Sequence, residues 1–354
     1  MIPSFAFDLS SVSDLSIDSP ALAILLDISH QIQIGADFSI DHPQYGAATL
    51  PEQSLRSIRN LPPQYQHKYL RGQLRNYLYD LYYSGELLSR TAAAPAPPAL
   101  EHNTVKGINW SFYQRLHDSN RSTGYWDPDW QVLDALHDCW LVQKQGLSLV
   151  IEREQHLSDP AVAPGDWVAI RLPKNQIESG YYIAIGESGG VAADPPNLQV
   201  CFNVSAEGVI TLMSLLTENL NALQIPFCFK VLSDPIEYGR YNSAVLRLPQ
   251  SAYDEIQPLL PAIYRETASQ FSPHSPAFTK PLAPGLSIAE EPATQEFGMH
   301  RCQLIAEGLL TARTQGNETP EARLEAILQC SVAEVNWYHP HLSPNSLDRY
   351  LPFS

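Results

Sequence analysis

Between Gln199 and Leu232 the chain spells strand, helix, strand, and no other run constrains its fold as much. In Gln199-Val-Cys201-Phe-Asn203-Val204, the apolar Val200, Phe202 and Val204 alternate with Gln199, Cys201 and Asn203, the period of a strand with two unlike faces. Ser205 then offers a hydroxyl to cap a helix. Val209, Leu212, Met213, Leu216, Leu220 and Leu223 recur at helical spacing and form one apolar face. Phe227, Phe229 and Val231 mark a second strand. Two strands joined by a helix of this length read as a crossover unit.

The flanking sequence extends a sheet. Leu147–Glu152, Asp166–Leu172, Tyr181–Gly186 and Ser243–Leu248 also carry strand patterns. Helices are expected over Ala21–Ile34, Pro63–Leu88, Ala252–Ala268, Gly298–Arg313 and Pro320–Cys330. Between these blocks, Thr91-Ala-Ala-Ala-Pro-Ala-Pro-Pro-Ala99 has the composition of an extended linker. The fold class expected is α+β: a mixed or antiparallel sheet with packed helices, preceded by a small helical N-terminal domain. Its boundaries fall at 1–95 for the helical domain and 96–354 for the α+β domain.

Charge narrows the function. The formal net charge is -16, so the surface should repel nucleic acid and anionic membranes. Neither is expected as a partner, and any anion site must be a local basic pocket. The five cysteines are scattered with no Cys-x-x-Cys pair, which argues against a disulfide framework or a zinc site. No basic leader and no apolar run of membrane-spanning length is visible, which points to a reduced, cytoplasmic protein. The sequence has no Walker-type loop, no Gly-x-Ser-x-Gly and no His-Glu-x-x-His. No metal and no organic cofactor is expected.

Lys230 lies in Phe227-Cys-Phe-Lys230-Val-Leu and faces away from Phe229, beside Cys228 and Leu232. Desolvation of its charged form makes it a candidate base, unless it snorkels from an edge strand. Ten residues on, Arg240 offers a planar fork that suits a phosphate or, equally, a carboxylate. Asn203, Cys201 and Gln199 share one strand face, which lines a cleft or is simply half-exposed. In Arg115-Leu-His117-Asp-Ser-Asn120, Arg115 is an anion-ligand candidate and His117 a general-acid candidate. The alternative is a structured turn in which Asp118, Ser119 and Asn120 satisfy backbone groups. Arg301 falls in the first turn of a helix, where its charge opposes the dipole, as if to hold an anion there. Lys280 is a further phosphate-ligand candidate from a Pro/Gly loop, and Glu290-Glu291 is read as orienting arginines.

Several ordered motifs resemble the HopA-type effector family. They are Arg115-Leu-His-Asp-Ser-Asn120 with Gly124-Tyr-Trp-Asp-Pro-Asp-Trp130, then Phe229-Lys230-Val, then Tyr238-Gly-Arg240-Tyr. Phe278-Thr, Ala283-Pro-Gly-Leu286, Ala289-Glu290, Phe297-Gly298 and Arg301 continue the series, and the likeness covers roughly residues 105–350. That family includes a type III effector and proteins of bacterial peptide-modification clusters. The resemblance implies a lyase that follows a kinase-like partner protein in lanthipeptide-type maturation. It would eliminate phosphate from phosphoserine or phosphothreonine in a phosphorylated precursor peptide, leaving dehydroamino acids. A more distant likeness, to phosphothreonine lyases with a Lys-x-His strand, puts Lys230 in the place of the base and Arg240 and Arg301 in those of phosphate arginines. Here Gln199 and Cys201 stand where that lysine and acid histidine would be. His117, Tyr182 and Tyr241 are the remaining acid candidates, and Tyr241 and Asn203 are also substrate-contact candidates. Loss of Lys-x-His equally fits a non-catalytic protein that binds a peptide or partner.

Overall fold

The structure, a computed structural model, describes residues 19–88, 109–159, 161–191, 196–293 and 295–353. The Ala/Pro linker lies outside the described residues. The chain runs through helix α1 (Pro20–Gln31), a short hairpin β1 (Gln33–Ile34) and β2 (Ile40–Asp41), then α2 (Glu52–Arg59) and α3 (Pro63–Leu78). After α4 (Trp110–Ser119) come β3 (Tyr125–Leu136), β4 (Cys139–Lys144), β5 (Leu147–Glu152), β6 (Trp167–Leu172), β7 (Asn175–Glu178), β8 (Tyr181–Ile185) and β9 (Asn197–Phe202). Then follow α5 (Ala206–Ala222), β10 (Cys228–Leu232), β11 (Ala244–Pro249), α6 (Leu260–Thr267), β12 (Lys280–Ala283), β13 (Leu286–Glu291), α7 (Phe297–Thr314) and α8 (Pro320–Ser331). The fold is α+β, as the sequence indicates.

These elements form two compact units. The first is drawn from 1–95, 276–280 and 289–351, the second from 96–275, 281–288 and 352–354. Residues 289–351 therefore fall with the N-terminal helices and not with 96–275 and 281–288. Their helices explain this. Leu25 and Ile28 of α1, Leu74 of α3, Leu309 of α7 and Ile327 of α8 share one buried cluster. Helices α7 and α8 approach closely at Gly308, where an added Cβ would lie 2.4 Å from the Ile327 Cα.

In the second unit, Ser205 caps α5 by accepting from the Gly208 N–H at 3.1 Å. Val209, Leu212, Met213, Leu216 and Leu220 are buried, each worth about 1.5–3 kcal/mol of transfer free energy for the larger side chains. The seven-stranded sheet has the order β12-β13-β9-β11-β10-β8-β7. Strand β11 is antiparallel to both β9 and β10, so those two run parallel with β11 between them. The crossover expected from sequence is present, with one strand inserted into it.

Two segments differ from the sequence reading. Gly124–Trp130 leads into β3, a strand the sequence reading did not expect, because a register irregularity between Asp127 and Trp130 hides the alternation. Upstream, Asp118 and Ser119 lie in α4 and not in a turn, while the Asn120 side chain accepts from the Ser122 N–H. The Pro/Gly segment after Lys280 is a hairpin of β12 and β13 around Gly285, whose φ of +75° suits glycine. Strands β3–β6 form a separate four-stranded sheet of order β5-β4-β3-β6, cored by Trp130, Val132, Trp140, Val142 and Ile170.

Candidate functional site

Register divides the seven-stranded sheet into two unlike faces. Tyr182, Val231, Ala244 and Phe202 form one cross-strand row, and Ala184, Phe229, Leu246 and Val200 the next. All eight are buried, and α4 lies on this side, with the Tyr113 ring 5.2 Å from that of Tyr182. The opposite face is mixed, with charged and polar groups among apolar ones. One of its rows is Ile183, Lys230, Val245 and Cys201, and another is Ile185, Cys228, Arg247 and Gln199. Lys230 and Cys201 thus point the same way, two strand spacings or roughly 10 Å apart.

Lys230 is half-buried, not sealed among apolar groups. Its Nζ donates to Glu178 Oε1 at 2.8 Å and sits 4.0 Å from the centre of the Tyr181 ring. A carboxylate and a π face compensate the ammonium that the sequence reading left desolvated. Cys201 is fully buried and Asn203 nearly so. The Asn203 side-chain N–H donates to the His274 carbonyl at 2.9 Å, while its Oδ1, also buried, has no hydrogen-bond partner. The Tyr241 ring stacks on His274 at 5.4 Å. Asn203 and Tyr241 are therefore brought to one segment.

Arg240 lies in the connection between β10 and β11. Tyr238 anchors this loop by donating to the Leu232 carbonyl at 2.8 Å, and Gly239 at φ +117° lets the chain turn back. The Arg240 guanidinium is 3.3 Å from Glu237. This loop leaves the carboxyl end of β10, one of the parallel pair, where ligands are usually found in crossover sheets. Of the sequence candidates, Lys230 and Cys201 share one sheet face, Asn203 and Tyr241 meet at His274, and Arg240 lies in the loop that follows β10.

The other sequence candidates lie elsewhere. His117 sits at the end of α4, with Nδ1 3.4 Å from the Tyr182 hydroxyl. Tyr182 alternates with Tyr181 and Ile183, so His117 and Tyr182 occupy the face opposite Lys230. Burial, and then the nearby Lys174 charge, hold His117 below the usual histidine range, while burial raises Tyr182 above the usual tyrosine range. Neither reaches the Lys230 face as an acid. Arg115 makes a two-pronged ion pair with Glu207 at 2.9 and 2.5 Å, on the α5 surface.

Lys280 and Arg301 belong to the first unit. Lys280 donates to Asp348 at 2.6 Å. Arg301 is 1% exposed, and its Nε and Nη2 donate to the carbonyls of Pro340 and Leu342 at 3.0 and 3.3 Å. Its Nη1 lies 2.7 Å from His300 Nδ1, and its guanidinium stacks on Phe297 at 4.5 Å. Burial draws it down to about 10. The helix-start arginine thus holds backbone carbonyls, not an anion. Glu290 holds the 343–350 segment. It accepts from the Ser343 N–H, the Ser346 hydroxyl and the Tyr350 hydroxyl at 2.8, 2.7 and 2.8 Å.

Sequence reasoning missed Glu178, Tyr181, His274 and Arg247. Arg247 was legible, since the alternation Val245-Leu-Arg247 puts it on the Lys230 face. Glu178 lies on a four-residue strand too short for a period to show. Among the described residues no cluster of His, Cys, Asp and Glu could hold a metal ion, and no helix is long and apolar enough to cross a membrane. None of the five cysteines, all among the described residues, forms a disulfide.

Residues 172–342 match the HopA1 effector protein family. Over this segment the chain is similar to that family. The matched segment is just under half of the chain and contains Cys201, Asn203, Lys230, Arg240, Tyr241, Lys280 and Arg301. Arg115 and His117 precede it. Two solved structures are similar to the chain. One is the effector protein from Pseudomonas syringae pv. tomato strain DC3000, 22% identical with a TM-score of 0.37, covering 46% of this chain and 62% of that one. The other is the effector protein from Pseudomonas syringae pv. syringae strain 61, 13% identical with a TM-score of 0.37, covering 78% of this chain and 97% of that one. The chain spans 62% of the first of these proteins. No curated protein matches.

Proposed function

We propose that the Lys230 face of the sheet in the second unit binds a phosphorylated peptide and eliminates phosphate from its phosphoserine or phosphothreonine. The observation that carries this reading is that Lys230 and Cys201 share one sheet face, while Arg240 and Tyr241 lie on the β10–β11 loop and Tyr241 stacks on His274, whose carbonyl holds Asn203. Lys230, relieved of its extra proton, removes the Cα–H. That electron pair forms the Cα=Cβ bond, and the Cβ–O bond breaks with its pair on the departing phosphate. Arg240 stabilises the charge that leaves, so a strong acid is not essential. Glu178, 2.8 Å from Lys230, orients the amine and favours its charged form, so the extra proton leaves to solvent before the amine acts as base. The orphaned Asn203 Oδ1 suits a donor such as a substrate peptide N–H. A phosphorylated precursor peptide made by a kinase-like partner protein is the substrate this reading implies.

One observation favours a second reading. Both Lys230 and Arg240 already face carboxylates, Glu178 and Glu237. A site so compensated fits a protein that holds a peptide or partner without turnover. Mass spectrometry separates the two. A phosphopeptide incubated with the protein should lose phosphoric acid and then take up an added thiol at the new double bond. If the wild type, given its kinase-like partner and cognate peptide, produces no dehydroamino acid, the binding reading stands instead.

A further inference from the structure

Among the described residues, the four-stranded sheet ends in a strand whose outer edge has no partner strand. Strand β5 is last in the order β5-β4-β3-β6, and among the described residues no strand pairs with its outer side. At the other end, Leu157 bridges to Ile170 and partly covers β6. Natural sheets blunt such edges with lysine, proline or bulges. Strand β5 reads Leu-Ser-Leu-Val-Ile-Glu and has one charge, at its last residue. Its open N–H and C=O groups form a template for one more strand.

The surroundings of this edge are apolar and acidic together. Six of the sixteen exposed large apolar side chains among the described residues lie in these four strands, so the exposure is concentrated, not scattered. Val150 is 61% exposed and shares the outer face with Leu141 and Asp134 in one cross-strand row. Between 125 and 172 the sequence has eight Asp and Glu against three Lys and Arg. One of those three, Lys144, pairs with Asp127 at 2.9 Å. Asp134, Asp138, Glu152 and Glu154 remain exposed around the edge.

We infer that the β5 edge accepts an extended segment of a peptide partner in which lysine or arginine alternates with apolar residues. Main-chain hydrogen bonds to β5 hold it, its apolar side chains extend the inner face beside Leu147 and Leu149, and its cations, on the outer face with Val150, meet Glu152 and Asp134. A second copy of this chain is disfavoured as occupant, because it brings the same acidic edge. The sheet is separate from the one that bears Lys230, so the inference does not depend on elimination chemistry.

The test uses the full chain and a capped ten-residue peptide of alternating lysine and valine. Hydrogen exchange should slow at amides 147–152 when this peptide binds. A glutamate–valine counterpart should not bind. The double variant Val150→Lys, Glu152→Lys, at two exposed positions that leave the core intact, should weaken binding tenfold or more. The inference is overturned if the variant binds like wild type, if amides 147–152 exchange unchanged, or if the acidic peptide binds equally well. Protection that arises without peptide and grows with protein concentration would make the occupant a second copy, and overturns it too.

Discussion

Lys230 and Glu178 are held 2.8 Å apart across β8, the strand that lies between their own strands β10 and β7. An ion pair bridging three strands fixes where the amine points, and the Tyr181 ring beneath it narrows that further. If Lys230 is the base, Lys230→Ala lowers elimination by roughly 10²–10⁴-fold, the usual share of a general base. Phosphopeptide affinity stays close to wild type, because the base acts on the Cα–H only in the transition state. Single-turnover elimination beside a binding titration measures both. A variant that folds and eliminates at the wild-type rate removes Lys230 from that role.

Arg240→Lys keeps the charge and loses the fork. A bidentate phosphate contact is worth about 1.5–3 kcal/mol, so both phosphopeptide binding and elimination should drop together. Binding of the unphosphorylated peptide should not change. Equal losses for both peptides would mean that Arg240 only pins its loop through Glu237.

Glu290→Gln tests the first unit. The carboxylate accepts from three donors in 343–350, one on Oε2 and two on Oε1. Either orientation of an amide sets N–H₂ against a donor. The expected loss is about 1.5–3 kcal/mol of stability, read from the denaturant midpoint. A midpoint shifted by no more than a surface substitution would show that the 343–350 segment holds without this carboxylate.

Acid should weaken the fold before the carboxylates titrate. His300 lies below the usual histidine range because of burial and then the Arg301 charge, with Glu334 opposing. His341 is lowered chiefly by burial, against the pull of Asp348. Because the folded values are depressed, the unfolded chain binds these protons first. Stability is therefore complete above about pH 6.5 and falls as pH drops below it, until the folded histidines also titrate. Each histidine adds a slope of at most about 1.4 kcal/mol per pH unit. His300→Gln, which has no titrating proton, should remove its share of the slope between pH 5 and 6.5.

Helix packing gives the last prediction. At Gly308 an added methyl group meets the Ile327 Cα and backbone N within 2.4 and 2.6 Å. Neither is a flexible side-chain tip. Gly308→Ala therefore pushes α7 and α8 apart and lowers the midpoint, despite the higher helix propensity of alanine. A thermal melt at or above the wild-type midpoint would contradict this.

The sequence by itself determined the local elements of the second unit. Alternation in Val200-Cys-Phe202 and Phe229-Lys-Val231, the 3.6 period of Val209–Leu220 and the Ser205 cap are short-range properties, and each appears where its pattern stands. It also determined that Lys230 and Cys201 would share the face opposite Phe229 and Phe202, since side chains alternate along a strand, although Cys201 is fully buried there. Tertiary structure alone decided the partners. The insertion of β11 between β9 and β10 set the Lys230 to Cys201 spacing, and the four-residue β7 brought Glu178 to the lysine. It also put Arg301 among the carbonyls of Pro340 and Leu342, although its sequence position suggested an anion. The physical reason is common to all three. A charged side chain is satisfied by whichever acceptor the fold brings within about 3 Å, and residues 39 or 52 positions away leave no periodic trace beside it.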